Sequence, residues 1–213
     1  MVRISLLVFL GLISTTRAAE HGALVDPANR LAPNDPTWSD LAAAFARNPD
    51  GTAEFSEQRF FPFKKTPAEL KGEVRLSTKR GLSLHYTSPD DHTVVIDDQG
   101  MLLRQPNGET STPPDPRAAA ANAALVQVLR FDLAGLSASF EIFGRRDGPI
   151  WALALIPRAE DMRRVIGEID VAGEKAAVQR ITIRRTAKQY IEILVGPPRL
   201  APFTADESKR FFR

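Results

Sequence analysis

The side chains best placed to do chemistry lie between residues 85 and 98: His85, Asp90-Asp91, His92 and Asp97-Asp98. Two imidazoles with a carboxylate pair between them could ligate a metal or assist a serine by acid–base transfer. The same residues also suit turns, where aspartates accept bonds from nearby backbone amides and strand-end histidines stay solvated. The third histidine, His21, lies far away near the N-terminus. The chain has no cysteine, no G-x-S-x-G elbow, no phosphate-cradling glycine loop and no H-E-x-x-H helix. The expectation is therefore a protein without catalytic residues, metal or cofactor. Arg145-Arg146, Arg163-Arg164 and Arg184-Arg185 could meet a lipid phosphate or remain solvated pairs at element ends.

The 213 residues, 43% hydrophobic and 25% charged, suit one domain with a sizeable core. Met1-Val2-Arg3 is followed by an apolar run from Ile4 to Ile13, then by small residues at Thr16 and Ala18. That run is well short of the ~20 residues a membrane-spanning helix needs. It reads as a cleaved export signal over residues 1–18, which places the remainder in the periplasm. Cutting it away removes Arg3 and Arg17 from 28 basic residues, leaving 26 against 26 acidic ones. A chain with no positive excess is a poor partner for phosphate backbones, so no nucleic-acid binding is expected. An exported chain without disulfides must be held by its core alone.

Residues 19–36, with Pro27, Pro33 and Pro36, read as a flexible lead-in to a single domain over 37–213. Trp38, Leu41, Ala42 and Phe45 share one face of a helix that Asn48-Pro49-Asp50-Gly51 stops. From Phe55 to Arg104 short alternating segments are divided by Pro67, Gly72, Arg80-Gly81, Ser88-Pro89 and Asp97-Asp98-Gln99-Gly100. Leu82, Leu84 and Tyr86 alternate with polar residues, as do Val94 and Ile96, with Val95 out of phase. Period two with one apolar face is an antiparallel meander. A polar, proline-bearing loop over 106–116 leads to an alanine-rich helix over 117–129, and Asp132 to Gly135 add a second short helical turn. Strands return at Ser139–Gly144 and at Trp151–Pro157, where Ala152 and Ala154 are small rather than polar. A short helix over 160–166, strands near 168–171, 178–184 and 190–195, and a helix opened by Thr204-Ala-Asp-Glu207 complete about nine or ten strands.

The order of landmarks resembles the LolA family of periplasmic outer-membrane lipoprotein carriers and their lipid-binding relatives. Phe55-x-Glu57-x-Arg59, Pro67, Lys71-Gly72-Glu73-Val74, Tyr86-Thr87-Ser88-Pro89 and Asp97-Asp98-Gln99-Gly100 carry it in the first half. Leu125-x-x-x-Leu129, Leu133-Ala134-Gly135-Leu136, Phe140, Trp151-x-Leu153-x-Leu155-x-Pro157 and Ile169-x-Val171-x-Gly173 carry it in the second. The resemblance implies a mainly β fold: an incomplete, curved antiparallel β-barrel with helices covering its concave apolar face.

It further implies an acyl-chain cavity walled by Leu76, Leu82, Leu84, Tyr86, Val94, Ile96, Phe140, Trp151, Leu153 and Leu155. Arg59, Arg80, Leu125 and Leu129 are the corresponding lid or head-group residues. In the lipoprotein carriers an Arg-Pro before aromatic residues helps hold the lid; here the region reads Ser77-Thr78-Lys79-Arg80-Gly81-Leu82, without proline, and Leu84 takes the aromatic place. The implied function is non-catalytic carriage of the acyl chains of lipoproteins or lipids toward the outer membrane. The partners implied are an acylated cargo, an inner-membrane donor and an outer-membrane acceptor, with the protein itself monomeric. Alternatives are an accessory for glycolipid or acyl-lipid transport and an adaptor domain of an envelope assembly.

Overall fold

The computed structural model describes residues 24–47, 50–77, 79–112 and 116–213, with side chains of the helix that opens at Pro116 described from residue 123. The expected export signal, residues 1–18, lies outside them. A first meander comprises β1 (Gly51–Phe60), β2 (Ala68–Ser77), β3 (Gly81–Ser88), β4 (His92–Asp97), β5 (Gly100–Arg104) and the two-residue β6 (Thr110–Ser111). A second comprises β7 (Phe140–Asp147), β8 (Ile150–Pro157), β9 (Glu168–Glu174), β10 (Ala177–Thr186) and β11 (Gln189–Val195). The two join through β1 and β11, in register from Phe55 opposite Val195 to Phe60 opposite Tyr190. One antiparallel sheet results, in the order β6-β5-β4-β3-β2-β1-β11-β10-β9-β8-β7, with β12 (Arg199–Leu200) added beside β1.

This order dictates where the helices go. The chain leaves the sheet at one edge, β6, and re-enters at the other, β7, so the link must cross a face. It crosses the apolar face as α2 (Pro116–Arg130) and α3 (Leu133–Ser139). The first helix, α1 (Ser39–Ala46), adds Trp38, Leu41 and Phe45 to the same side, while α4 (Glu160–Val165) and α5 (Ala205–Phe211) are short. Among the described residues β6 and β7 do not pair with each other, so the curved sheet stays an incomplete barrel. Its concave core includes Phe55, Leu82, Ile96, Leu125, Val128, Leu136, Phe140 and Leu155.

Aromatic rings lock helices to sheet. Phe131 stacks on Phe45 at 4.7 Å and on Trp38 at 6.0 Å, and meets Trp151 edge-on at 5.1 Å. Each indole lies where the opposing strand lacks a side chain. A Cβ at Gly144 would come within 2.6 Å of the Trp38 ring, and one at Gly173 within 2.3 Å of the Trp151 ring. Phe131 itself adopts φ 55, a left-handed conformation that ends α2 and costs a bulky residue energy. Its three ring contacts offset that cost.

The convex face is also covered. Residues 24–36, expected as a loose lead-in, hold one short 3-10 turn at Pro27–Asn29 and open a second at Pro36–Trp38, and Leu31 donates its amide to the Ile142 carbonyl. Leu24 packs against Phe143 and Ala154 there, which accounts for the small Ala152 and Ala154 of β8. On the other half α5 opens with the expected capping box between Thr204 and Glu207. Arg75 then lies 3.5 Å over the Phe211 ring, and Arg104 donates to the Phe212 carbonyl at 2.9 Å. Arg213 pairs with Asp97 at 2.8 Å. The out-of-phase Val95 and its neighbour Ser83 belong to that outer row and are fully buried.

Candidate functional site

An apolar cavity of about 310 Å³ opens at the Gly51 end of β1. It lies where α1 and α2 stop. Phe45 and Ala46 from the end of α1 form one wall, and Leu129 and Arg130 from the end of α2 another. Ala53, Val74 and Leu76 line it from the first meander, and Ala176, Ala177, Val178 and Val195 from the second. Pro198 and Leu200 form its lip, where Leu200 is 47% exposed. Thr52 and Arg130 are the polar side chains of this wall. Arg130 is half-buried and donates to the Ser77 carbonyl at 3.4 Å.

Of the residues the sequence singled out, Leu76 and Leu129 line this space. Leu82, Ile96, Phe140, Trp151, Leu153 and Leu155 share the concave face but are packed shut beneath the helices. Leu84 and Val94 are half-buried against the same core, and Leu125 of α2 is buried in it. Exposed Arg80 sits in the β2–β3 turn, its amide donating to Ser77 Oγ at 3.3 Å. The lining from α1, β1, the β9–β10 turn and β12 was not singled out. The alternation of Ala53 with Phe55 signals part of it; the rest depends on where helices end.

Tyr86 and Arg59 meet elsewhere on the inner face. The Tyr86 hydroxyl donates to Glu57 Oε2 at 2.8 Å, and Arg59 Nε donates to Glu57 Oε1 at 2.5 Å. Burial, and then the Glu57 charge, pushes the Tyr86 phenol far above its ordinary range. Burial works against the Arg59 charge, and Glu57 more than restores it. A buried carboxylate holding two donors is a satisfied structural group. His92 stacks on Tyr86 at 4.6 Å, while His85 Nε2 lies 3.1 Å from Asp91. Among the described residues no three His, Cys, Asp or Glu side chains gather as a metal site.

The arginine pairs separate by role. Arg146 grips Asp40 at 2.7 Å and the Thr37 carbonyl at 2.8 Å, tying α1 to β7. Arg163 and Arg164 pair with Glu160 along α4, and Arg184 pairs with Glu168 across β10 and β9 at 2.8 Å. Among the described residues no helix is long and apolar enough to cross a membrane.

No family model and no curated protein matches this sequence. Solved structures do resemble its backbone. A LolA superfamily protein from Nitrosomonas europaea is 5% identical with a TM-score of 0.43, over 83% of this chain and 97% of that one. A DUF1329 family protein from Desulfovibrio piger is 10% identical with a TM-score of 0.49, over 84% and 97%. A chain of the Pseudomonas aeruginosa MucA/MucB complex is 13% identical with a TM-score of 0.44, over 83% and 60%. Each of these is a likeness of backbone arrangement alone.

Proposed function

We propose that this protein is a non-enzymatic carrier that shelters an acyl chain of a lipid or lipoprotein in the cavity at the Gly51 end of β1. The carrying observation is the cavity itself: about 310 Å³, walled by aliphatic side chains from both halves of the sheet and the ends of two helices. That volume is at the small end of the ~300–1,000 Å³ range of ligand pockets. An empty cavity of ~150 Å³ takes up benzene, so this one has room for roughly a dozen carbons. Keeping a ~16-carbon chain from water is worth about 12 kcal/mol at ~0.8 kcal/mol per methylene, and the cavity shelters most of it. Uptake and release need no bond to break. A wall whose polar side chains are Thr52 and Arg130 suits binding without turnover.

With an export signal over residues 1–18 the carrier works in the periplasm, taking cargo from an inner-membrane donor toward an outer-membrane acceptor. The test is displacement of a fluorescent fatty acid from the purified protein, with mass spectrometry of its organic extract. Ala177→Phe fills the space from the start of β10 and should weaken probe binding at least tenfold with an unchanged melt. The exposed Arg145→Ala should alter neither. Parental probe affinity in Ala177→Phe would sink the assignment of this cavity.

A further inference from the structure

Past its last pairing with β11, Phe60 opposite Tyr190, β1 runs out of the sheet as Phe61-Pro62-Phe63-Lys64-Lys65. Phe63 is 79% exposed, more than any other large hydrophobic side chain among the described residues. A single exposed apolar residue is ordinary. This one is not single. Phe61 stacks on Phe63 at 5.5 Å, and Lys64 Nζ lies 5.5 Å from the Phe61 ring centre. The Lys64 amide donates to the Phe61 carbonyl at 3.1 Å, closing a tight turn around Pro62. The pair is therefore held by backbone and ring contacts, and a second stack, Phe60 on Tyr190 at 4.2 Å, fixes the adjoining last pair of β1 and β11.

Charge gathers at the same end. The β10–β11 turn lies beside this tip because Tyr190 pairs with Phe60. Residues 60–67 and 184–190 together contain five cations and no Asp or Glu. Arg184 is engaged by Glu168. Lys64, Lys65, Arg185 and Lys188 are exposed and form no ion pair among the described residues. A fixed aromatic pair ringed by free lysine and arginine suits the water–bilayer boundary. Rings settle at headgroup depth, and cations meet anionic phosphates.

We propose that the β1–β2 tip docks this protein onto anionic lipid bilayers, with Phe61 and Phe63 entering the interface and Lys64, Lys65, Arg185 and Lys188 meeting the phosphates. The tip and the cavity occupy opposite ends of β1, whose ten residues span about 33 Å. A docked molecule thus presents its cavity away from the bilayer on which it rests. The docking does not depend on what the cavity holds.

The experiment is sedimentation of the purified protein with vesicles of phosphatidylcholine, with and without phosphatidylglycerol. The protein should pellet with the phosphatidylglycerol vesicles and be released by salt. Phe61→Ser/Phe63→Ser should weaken that binding at least tenfold. Lys64→Gln/Lys65→Gln should weaken it by about fivefold per cation, from the charge attraction alone. Phe63→Trp should shift its emission to the blue on adding the same vesicles. All these variants change exposed or half-exposed positions and should keep the parental melt and fatty-acid probe affinity. Absence of binding by the parent overturns the proposal, as does parental binding by both double variants or an unmoved Phe63→Trp emission. If Ala177→Phe rather than the tip variants abolishes sedimentation, the vesicles are being extracted by the cavity and the docking proposal fails.

Discussion

At the scale of single residues, Leu153 and Leu76 face the same side of the sheet yet should answer a charge oppositely. Leu153 is 1% exposed beneath the helices. A lysine there would bury an unpaired ammonium, costing several kcal/mol against a total stability of about 5–15. Leu153→Lys should lose the cooperative thermal melt followed by circular dichroism. Leu76 stands at the cavity wall and is half-buried, so a lysine stem can lie along the wall and put its ammonium in the opening. Leu76→Lys should fold and lose fatty-acid probe binding. A folded Leu153→Lys would show that the closed core is less closed than its burial says. Asp40 offers a milder test. The hydrogen bond from Arg146 holds its carboxyl down from 3.8 to about 2. The folded value lies below the unfolded one, so this contribution is present above pH 3.8 and is lost as pH falls through about 2. Arg146→Ala should return the Asp40 titration, followed by NMR, to the ordinary carboxylate range, and high salt should act in the same direction.

At the scale of elements, α5 shows what alternation in a sequence can and cannot tell. The Thr204–Glu207 capping box announces a helix, and the helix forms there. Its seat could not be read, because a helix of seven residues does not name the surface that will receive its phenylalanines. The receiving strand did carry a sign. Val95 breaks the alternation of β4, and it is buried because the outer face beneath it is covered. The same holds for Ala152 and Ala154, whose small side chains leave room for Leu24 on β8. Period-two patterns at Leu82–Tyr86 and Trp151–Leu155 likewise match β3 and β8. The cavity was less legible. An apolar inner face is written in those strands, but its uncovered part depends on where α1 and α2 end in space. Phe212 makes the element-scale prediction, since it is fully buried. Phe212→Ala should cost about 3–5 kcal/mol, as for other buried phenylalanines. For a chain this long that lowers the melting midpoint by roughly 10 °C, at 2–4 °C per kcal/mol. Probe binding at 25 °C should survive, because α5 and the cavity lie on opposite faces.

At the scale of the whole molecule, the two meanders meet along one seam, β1 with β11, and share one set of covering helices. Both faces of each half are occupied, the inner by α1, α2 and α3, the outer by Leu24 on one half and by α5 on the other. Any widening of the cavity must therefore come from the ends of α1 and α2, since bending the sheet would break contacts on its back. The clasp of α5 has a consequence for how the chain acquires its shape. Arg104 binds the backbone of Arg210 and Phe212, more than 100 residues later. Contacts of such long sequence separation form late, because a long loop must close before they repay its entropy. Until then the first meander stands with Val95 and its row bare to water, a half-finished surface open to sticking. As the chain folds, that surface must wait for α5 to close it.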